Sequence, residues 1–91
     1  MSKILIVDDD DELAEALRSY FEMHGYLPEV CFNGEDALQL LSSFTYDMII
    51  LDWDLPKMSG DEVCRAYRNR GGQTPIIFLT GKGDVQYLEE G

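Results

Sequence analysis

The residues with chemical potential stand directly after apolar runs. Asp8 and Asp9 follow Ile4-Leu5-Ile6-Val7, Asp52 follows Met48-Ile49-Ile50-Leu51 with Asp54 two positions on, and Thr80-Gly81 follow Ile76-Ile77-Phe78-Leu79. Carboxylates gathered at short range raise one another's pKa and cannot all ionise without help. The simplest help is a hard divalent cation such as Mg²⁺, which takes one or two carboxylates and leaves its other positions to water and phosphate oxygens. Such a site draws a phosphoryl group, because the cation offsets charge on the transferring oxygens. A neighbouring carboxylate can then act as nucleophile and form an acyl phosphate. The Thr80 hydroxyl suits a hydrogen bond to a phosphoryl oxygen, and Gly81 leaves room for a donor. Helix capping is the plainer reading of Asp10 and Asp11, since aspartates favour helix N-termini. It does not explain Asp52, which has no helix immediately after it.

These residues depend on the elements that carry them. Ile4 to Val7 is a strand-length aliphatic run. From Asp11 a helix follows, with Leu13, Leu17, Tyr20, Phe21 and His24 on one face and Gly25 closing it. His24 falls where the dipole favours a cation. Leu27 to Phe32 reads as a second strand, and Pro28 marks it as an edge. Asn33-Gly34 caps a helix whose inward stripe is Ala37, Leu38, Leu41 and Phe44. Met48 to Leu51 is the third strand. Ser59 or Gly60 starts a third helix with Val63, Ala66 and Tyr67 inward, Gly71-Gly72 ends it, and Ile76 to Leu79 is the fourth strand. Gly83 to Gly91 has the length of about two turns of helix.

Strands alternating with helices imply parallel pairing through right-handed crossovers, and runs apolar on both faces imply helices on both sides of the sheet. The fold class is therefore α/β, doubly wound, with four strands, and residues 1–91 form a single domain. In such sheets ligands bind beyond the carboxyl ends of the strands, where Asp8, Asp9, Asp52 and Thr80 all fall.

The net charge is −11, from 18 acidic and 7 basic residues. That surface repels nucleic acid and anionic lipid. No apolar stretch approaches the roughly 20 residues that cross a bilayer, and Met1-Ser2-Lys3 leads into a strand with no signal-peptide pattern, so the expected location is cytoplasmic. Cys31 and Cys64 share no metal-ligand spacing and read as reduced structural thiols.

Ile4-Leu5-Ile6-Val7-Asp8-Asp9, Asp52 in Leu51-Asp52-Trp53-Asp54-Leu55-Pro56-Lys57-Met58-Ser59-Gly60, and Leu79-Thr80-Gly81 occur in one order and span nearly the whole chain. Together they resemble the receiver domain of bacterial two-component response regulators. The resemblance implies a flavodoxin-like sheet of order 2-1-3-4, with Asp52 as phosphoacceptor and Thr80 as the switch hydroxyl. It also implies Mg²⁺ (with Mn²⁺ able to substitute) held by Asp8, Asp9, Asp52 and the backbone carbonyl of Asp54. The implied donor is a phosphohistidine on a sensor histidine kinase or a histidine phosphotransfer protein.

Family members continue through a fifth strand bearing a lysine before a proline, and then a last helix. This sequence stops at Gly91 before either, and Lys82 stands too close to Thr80 to be that lysine. The bare fourth-strand edge this implies predicts a homodimer or an element-exchanged oligomer. Two other functions compete. Asp52-Trp53-Asp54 is a D-x-D resembling the motif of haloacid-dehalogenase-type phosphatases, but it lies on the third strand rather than the first, and those enzymes need a longer chain. A receiver-like module that binds a partner without being phosphorylated is the other. On the resemblance the chain is a signalling domain rather than an enzyme, with at most slow autodephosphorylation.

Overall fold

The computed structural model describes residues 2–79 and the backbone of residues 85–89. The apolar runs become strands and the helix-period segments become helices: β1 (Lys3–Val7), α1 (Asp11–Met23), β2 (Leu27–Cys31), α2 (Gly34–Ser43), β3 (Met48–Asp52), α3 (Gly60–Asn69), β4 (Ile76–Leu79) and β5 (Val85–Glu89). They build one sheet in the order β2-β1-β3-β4-β5. The first four strands are parallel, and β5 runs antiparallel to β4. The doubly wound α/β fold and the 2-1-3-4 order are as expected.

Because side chains alternate along a strand, each central strand feeds two cores. Leu5, Val7, Ile49, Leu51, Ile76 and Phe78 pack with Ala37 and Leu38 of α2 and Val63 and Cys64 of α3. Ile4, Ile6 and Ile50 face the other way and meet Leu17 and Phe21 of α1. Burying each such aliphatic side chain stabilises the fold by about 1.5–3 kcal/mol.

The helices start where the sequence supplies acceptors. The Asp10 carboxylate accepts from the backbone N–H groups of Glu12 (3.0 Å) and Leu13 (3.2 Å). Asn33 accepts from the Asp36 N–H at 2.8 Å. Ser59 and Glu62 form a reciprocal capping box, at 3.2 Å and 2.9 Å. Each cap contributes about 1 kcal/mol. His24 is the C-cap of α1, with its ring 4.5 Å from that of Tyr20. Cys31 and Cys64 are buried and form no disulfide, and burial pushes the Cys31 thiol up to about 12. No helix among the described residues is long and apolar enough to cross a membrane.

Three expectations need correction. The inward stripe of α1 is narrower than its apolar residues suggest: Ala14, Leu17 and Phe21 face the sheet, while Leu13 and Tyr20 are 42% and 55% exposed. Among the described residues one helix lies on this face, and it covers the sheet only with positions three and four apart. Phe44 is not part of the buried stripe of α2 but its extended C-cap, half exposed. Residues 85–89 are strand rather than helix. Two turns make a marginal helix, whereas pairing satisfies backbone groups along β4. This strand is antiparallel and contains no lysine, so it is not the parallel fifth strand of the receiver pattern. The β4 edge is paired within the chain, which removes the ground on which a homodimer or exchanged oligomer was expected.

The opposite edge is protected by sequence. The Leu27 N–H donates inward to the Ser2 carbonyl (2.8 Å) and the Cys31 carbonyl accepts from the Asp8 N–H (3.1 Å). Alternation therefore turns Pro28 outward, where its missing N–H leaves a neighbouring chain no donor.

Candidate functional site

Asp8 follows β1 and Asp52 ends β3, neighbouring parallel strands in which Val7 pairs with Leu51. The two carboxylates therefore emerge side by side at the carboxyl end of the sheet. Asp9 completes the group: one oxygen from each of Asp8, Asp9 and Asp52 lies within 4.8 Å of the others. Asp8 is 1% and Asp52 9% exposed, whereas Asp9 is open to solvent.

Both buried carboxylates are held by the same local device. Asp8 Oδ1 accepts from the Asp10 N–H at 2.9 Å, and Asp52 Oδ1 accepts from the Asp54 N–H at 3.2 Å. Each is an aspartate bonding the backbone two residues ahead, as these side chains do in turns. Sequence reasoning passed over this pairing, although the spacings Asp8-x-Asp10 and Asp52-x-Asp54 carry the signal. Asp10 thus both caps α1 and supplies the N–H that fixes Asp8.

The second oxygen of Asp8, Oδ2, is fully buried and accepts no hydrogen bond. An orphaned carboxylate oxygen is costly unless protonated or ligating a cation. Burial raises the Asp8 pKa, the Asp10 N–H opposing it. Burial likewise pushes Asp52 up to about 6, opposed by the Asp54 N–H and reinforced by the charge of Asp8. The residues present therefore fit a hard divalent cation. Oxygen-only donors, two of them buried and one with an unused lone pair, form a set that such an ion relieves.

The loop after Asp52 is folded back on the strand. The Trp53 N–H donates to the Leu79 carbonyl (2.8 Å), and its carbonyl accepts from the Gly60 N–H (2.9 Å). A side chain at Gly60 would place its Cβ 2.3 Å from the Asp52 carbonyl oxygen, so only glycine permits this approach. Lys57 takes φ +70° at the tip of the loop. Trp53 packs edge-on against Phe78, ring centroids 5.0 Å apart, and stays 42% exposed. Asp54 is exposed beside it. Thr80, Gly81 and Lys82 lie outside the described residues.

Buried carboxylates at the carboxyl ends of adjacent parallel strands stand where doubly wound sheets place their ligand sites. The family model described as "Response regulator receiver domain" matches residues 4–91. The chain is 40% identical over 83 residues to the transcriptional regulatory protein DltR of Streptococcus agalactiae, covering 91% of this chain and 37% of DltR. It thus spans little more than a third of the length of that relative. Its structure is similar to the Francisella response regulator 1452 receiver domain, with a TM-score of 0.87 and 32% identity over 92% of this chain and 69% of that one. It is also similar to the response regulator TrrA of Thermotoga maritima in complex with Mg²⁺ and BeF, with a TM-score of 0.83 and 39% identity over 88% and 70% of the two chains. TrrA in complex with the histidine kinase ThkA matches with a TM-score of 0.83 and 38% identity over 89% and 70%. The chain belongs to the response regulator receiver domain family.

Proposed function

We propose that Asp52 accepts a phosphoryl group from a phosphohistidine, carried by a sensor histidine kinase or a histidine phosphotransfer protein of the cytoplasm. The observation that carries this reading is the buried Asp8–Asp52 pair with its orphaned oxygen, a site whose charge calls for a cation and whose nucleophile is already held. Asp8, Asp9, Asp52 and the backbone carbonyl of Asp54 would hold Mg²⁺ or Mn²⁺. The cation, when bound, would offset charge on the transferring oxygens.

The chain's own residues do the rest. The Asp54 N–H fixes Asp52 Oδ1 and leaves Oδ2 to form the new bond to phosphorus, while the phosphorus–nitrogen bond to the donor imidazole breaks and that nitrogen takes up a proton. A pKa near 6 keeps Asp52 mostly ionised at neutral pH, as a nucleophile must be. Thr80 is the switch hydroxyl that bonds the transferred group. The TrrA complexes with Mg²⁺ and BeF and with ThkA support the same cation and the same kind of donor for this chain.

Trp53, the only tryptophan, sits next to the acceptor and reports on the test. Beryllofluoride with Mg²⁺ should change its emission saturably in the wild type. Asp52→Asn should show no response, and Asp9→Asn should need at least about tenfold more Mg²⁺. An equal response from Asp52→Asn would overturn the acceptor assignment.

A further inference from the structure

The turn between β2 and α2 touches both halves of the carboxylate site. At its start, the Cys31 carbonyl accepts from the Asp8 N–H at 3.1 Å. At its end, Gly34 opens α2 against the loop that follows Asp52. A Cβ at Gly34 would stand 2.6 Å from Val63 Cγ2, 3.2 Å from Met58 Cβ and 3.3 Å from Met58 Cγ. Val63 is buried and stiff about its first side-chain torsion, so it has little room to turn aside. Nothing else asks for glycine at this position. Its φ lies outside the left-handed region, and as the first residue of α2 it stands where alanine is the better helix former. The close approach remains as the reason. Packing of α2 on α3 accounts for the contact with Val63 but not for that with Met58, which belongs to neither helix.

The loop has little freedom to absorb a push. Its ends are tied together by the Gly60 N–H donating to the Trp53 carbonyl, and the Trp53 N–H is tied to the Leu79 carbonyl. Leu55 and Met58 both pack against the larger core. Close-packed interiors transmit displacement rather than absorb it. A shift at Met58 therefore passes along the loop to Asp54, whose N–H holds Asp52 Oδ1. On the other side, a shift of the same turn pulls on the Asp8 N–H through Cys31.

We propose that the β2–α2 turn is a positioning element of the cation site, setting the spacing of Asp8 from the loop after Asp52 through the Cys31 carbonyl and Gly34. The proposal rests on the cation reading above and adds to it residues that touch no ligand. Mg²⁺ demands near-ideal octahedral geometry, whereas Ca²⁺ accepts a flexible one, so displaced donors should penalise Mg²⁺ more. Each ion is titrated separately into the metal-free protein and followed by Trp53 emission. Gly34→Ala should weaken Mg²⁺ binding at least about tenfold, the scale seen for residues that orient metal ligands, and Ca²⁺ binding less. Val63→Ala removes the nearest contact from the α3 side and destabilises the fold without pushing the loop. Its Mg²⁺ affinity should stay within about twofold of the wild type, and adding it to Gly34→Ala should restore most of the loss. Met58→Ala loosens the contact from the loop side without overpacking, so it stays measurable should Gly34→Ala fail to fold. It should weaken Mg²⁺ binding at least about threefold. Wild-type Mg²⁺ affinity in a folded Gly34→Ala or in Met58→Ala, an equal loss for both ions, or an equal loss in Val63→Ala would each overturn the proposal. A wild type with no saturable response to Mg²⁺ would overturn the cation reading itself, and this proposal with it.

Discussion

In metal-free buffer above neutral pH, Asp52→Asn should melt roughly 10 °C higher than the wild type, although it removes the group on which function is proposed to rest. The Asp52 carboxyl is raised from 3.8 to about 6 in the folded protein. A raised carboxyl pKa means that the ionised form is disfavoured by folding. The penalty is complete above the folded pKa, declines as pH falls from about 6 toward 4, and is absent below the unfolded value. Two units correspond to about 3 kcal/mol at most, and sharing the penalty with Asp8 makes about 2 kcal/mol the better expectation. Asparagine keeps the oxygen that accepts from the Asp54 N–H and sheds the charge. The gap between variant and wild type should therefore narrow as pH falls through 6. Thermal melts across pH measure it, and a variant that melts lower, or a gap that ignores pH, would show that the carboxylates do not strain the apo site.

Gly60→Ala should be the most damaging single-methyl change near the site. The new Cβ would stand 2.3 Å from the Asp52 carbonyl oxygen and 3.0 Å from the Trp53 Cα, both backbone atoms that cannot turn aside. Either α3 shifts away from β3 or the strand end carrying Asp52 moves. Overpacking of this kind costs about 1–3 kcal/mol, and the upper end applies where only backbone can yield, so the melting temperature should fall by roughly 10–20 °C. Gly25→Ala is the fitting control. It has φ +86° but open space around it, so only the left-handed backbone is penalised, by about 1 kcal/mol. Should Gly60→Ala cost no more than Gly25→Ala in a melt, the close approach of the loop to Asp52 is not what holds it.

The parts of this fold that were legible beforehand are those set by local chemistry. The four aliphatic runs have strand length and are apolar on both faces, which only a sheet covered on two sides accommodates. Asp10, Asn33 and Ser59 stand where side-chain acceptors must begin helices, and each does so. The convergence of Asp8, Asp9 and Asp52 followed from the rule that parallel strands present their carboxyl ends on one rim.

What sequence concealed depends on which surface an element meets. The aromatic and aliphatic residues of α1 fit a broad helical stripe, but only Ala14, Leu17 and Phe21 find sheet beneath them, because no second described helix widens this layer. Phe44 matched the periodicity of α2, yet the helix closes at Ser43 and Phe44 becomes its extended, half-exposed C-cap. Residues 85–89 have little local preference strong enough to outweigh a neighbouring strand with unsatisfied backbone. The turns that hold Asp8 and Asp52 were visible as paired aspartates, but charge repulsion was the more obvious reading of the same letters.

The most direct measurement of the central claim is the intact mass of the protein after incubation with acetyl phosphate. With Mg²⁺ present, the wild type should gain one phosphoryl group per chain, labile to acid and to base as an acyl phosphate is. Without a divalent cation, or in Asp52→Asn, the mass should not change. Equal incorporation by Asp52→Asn, or by the wild type in chelator, would contradict a cation-dependent transfer to Asp52.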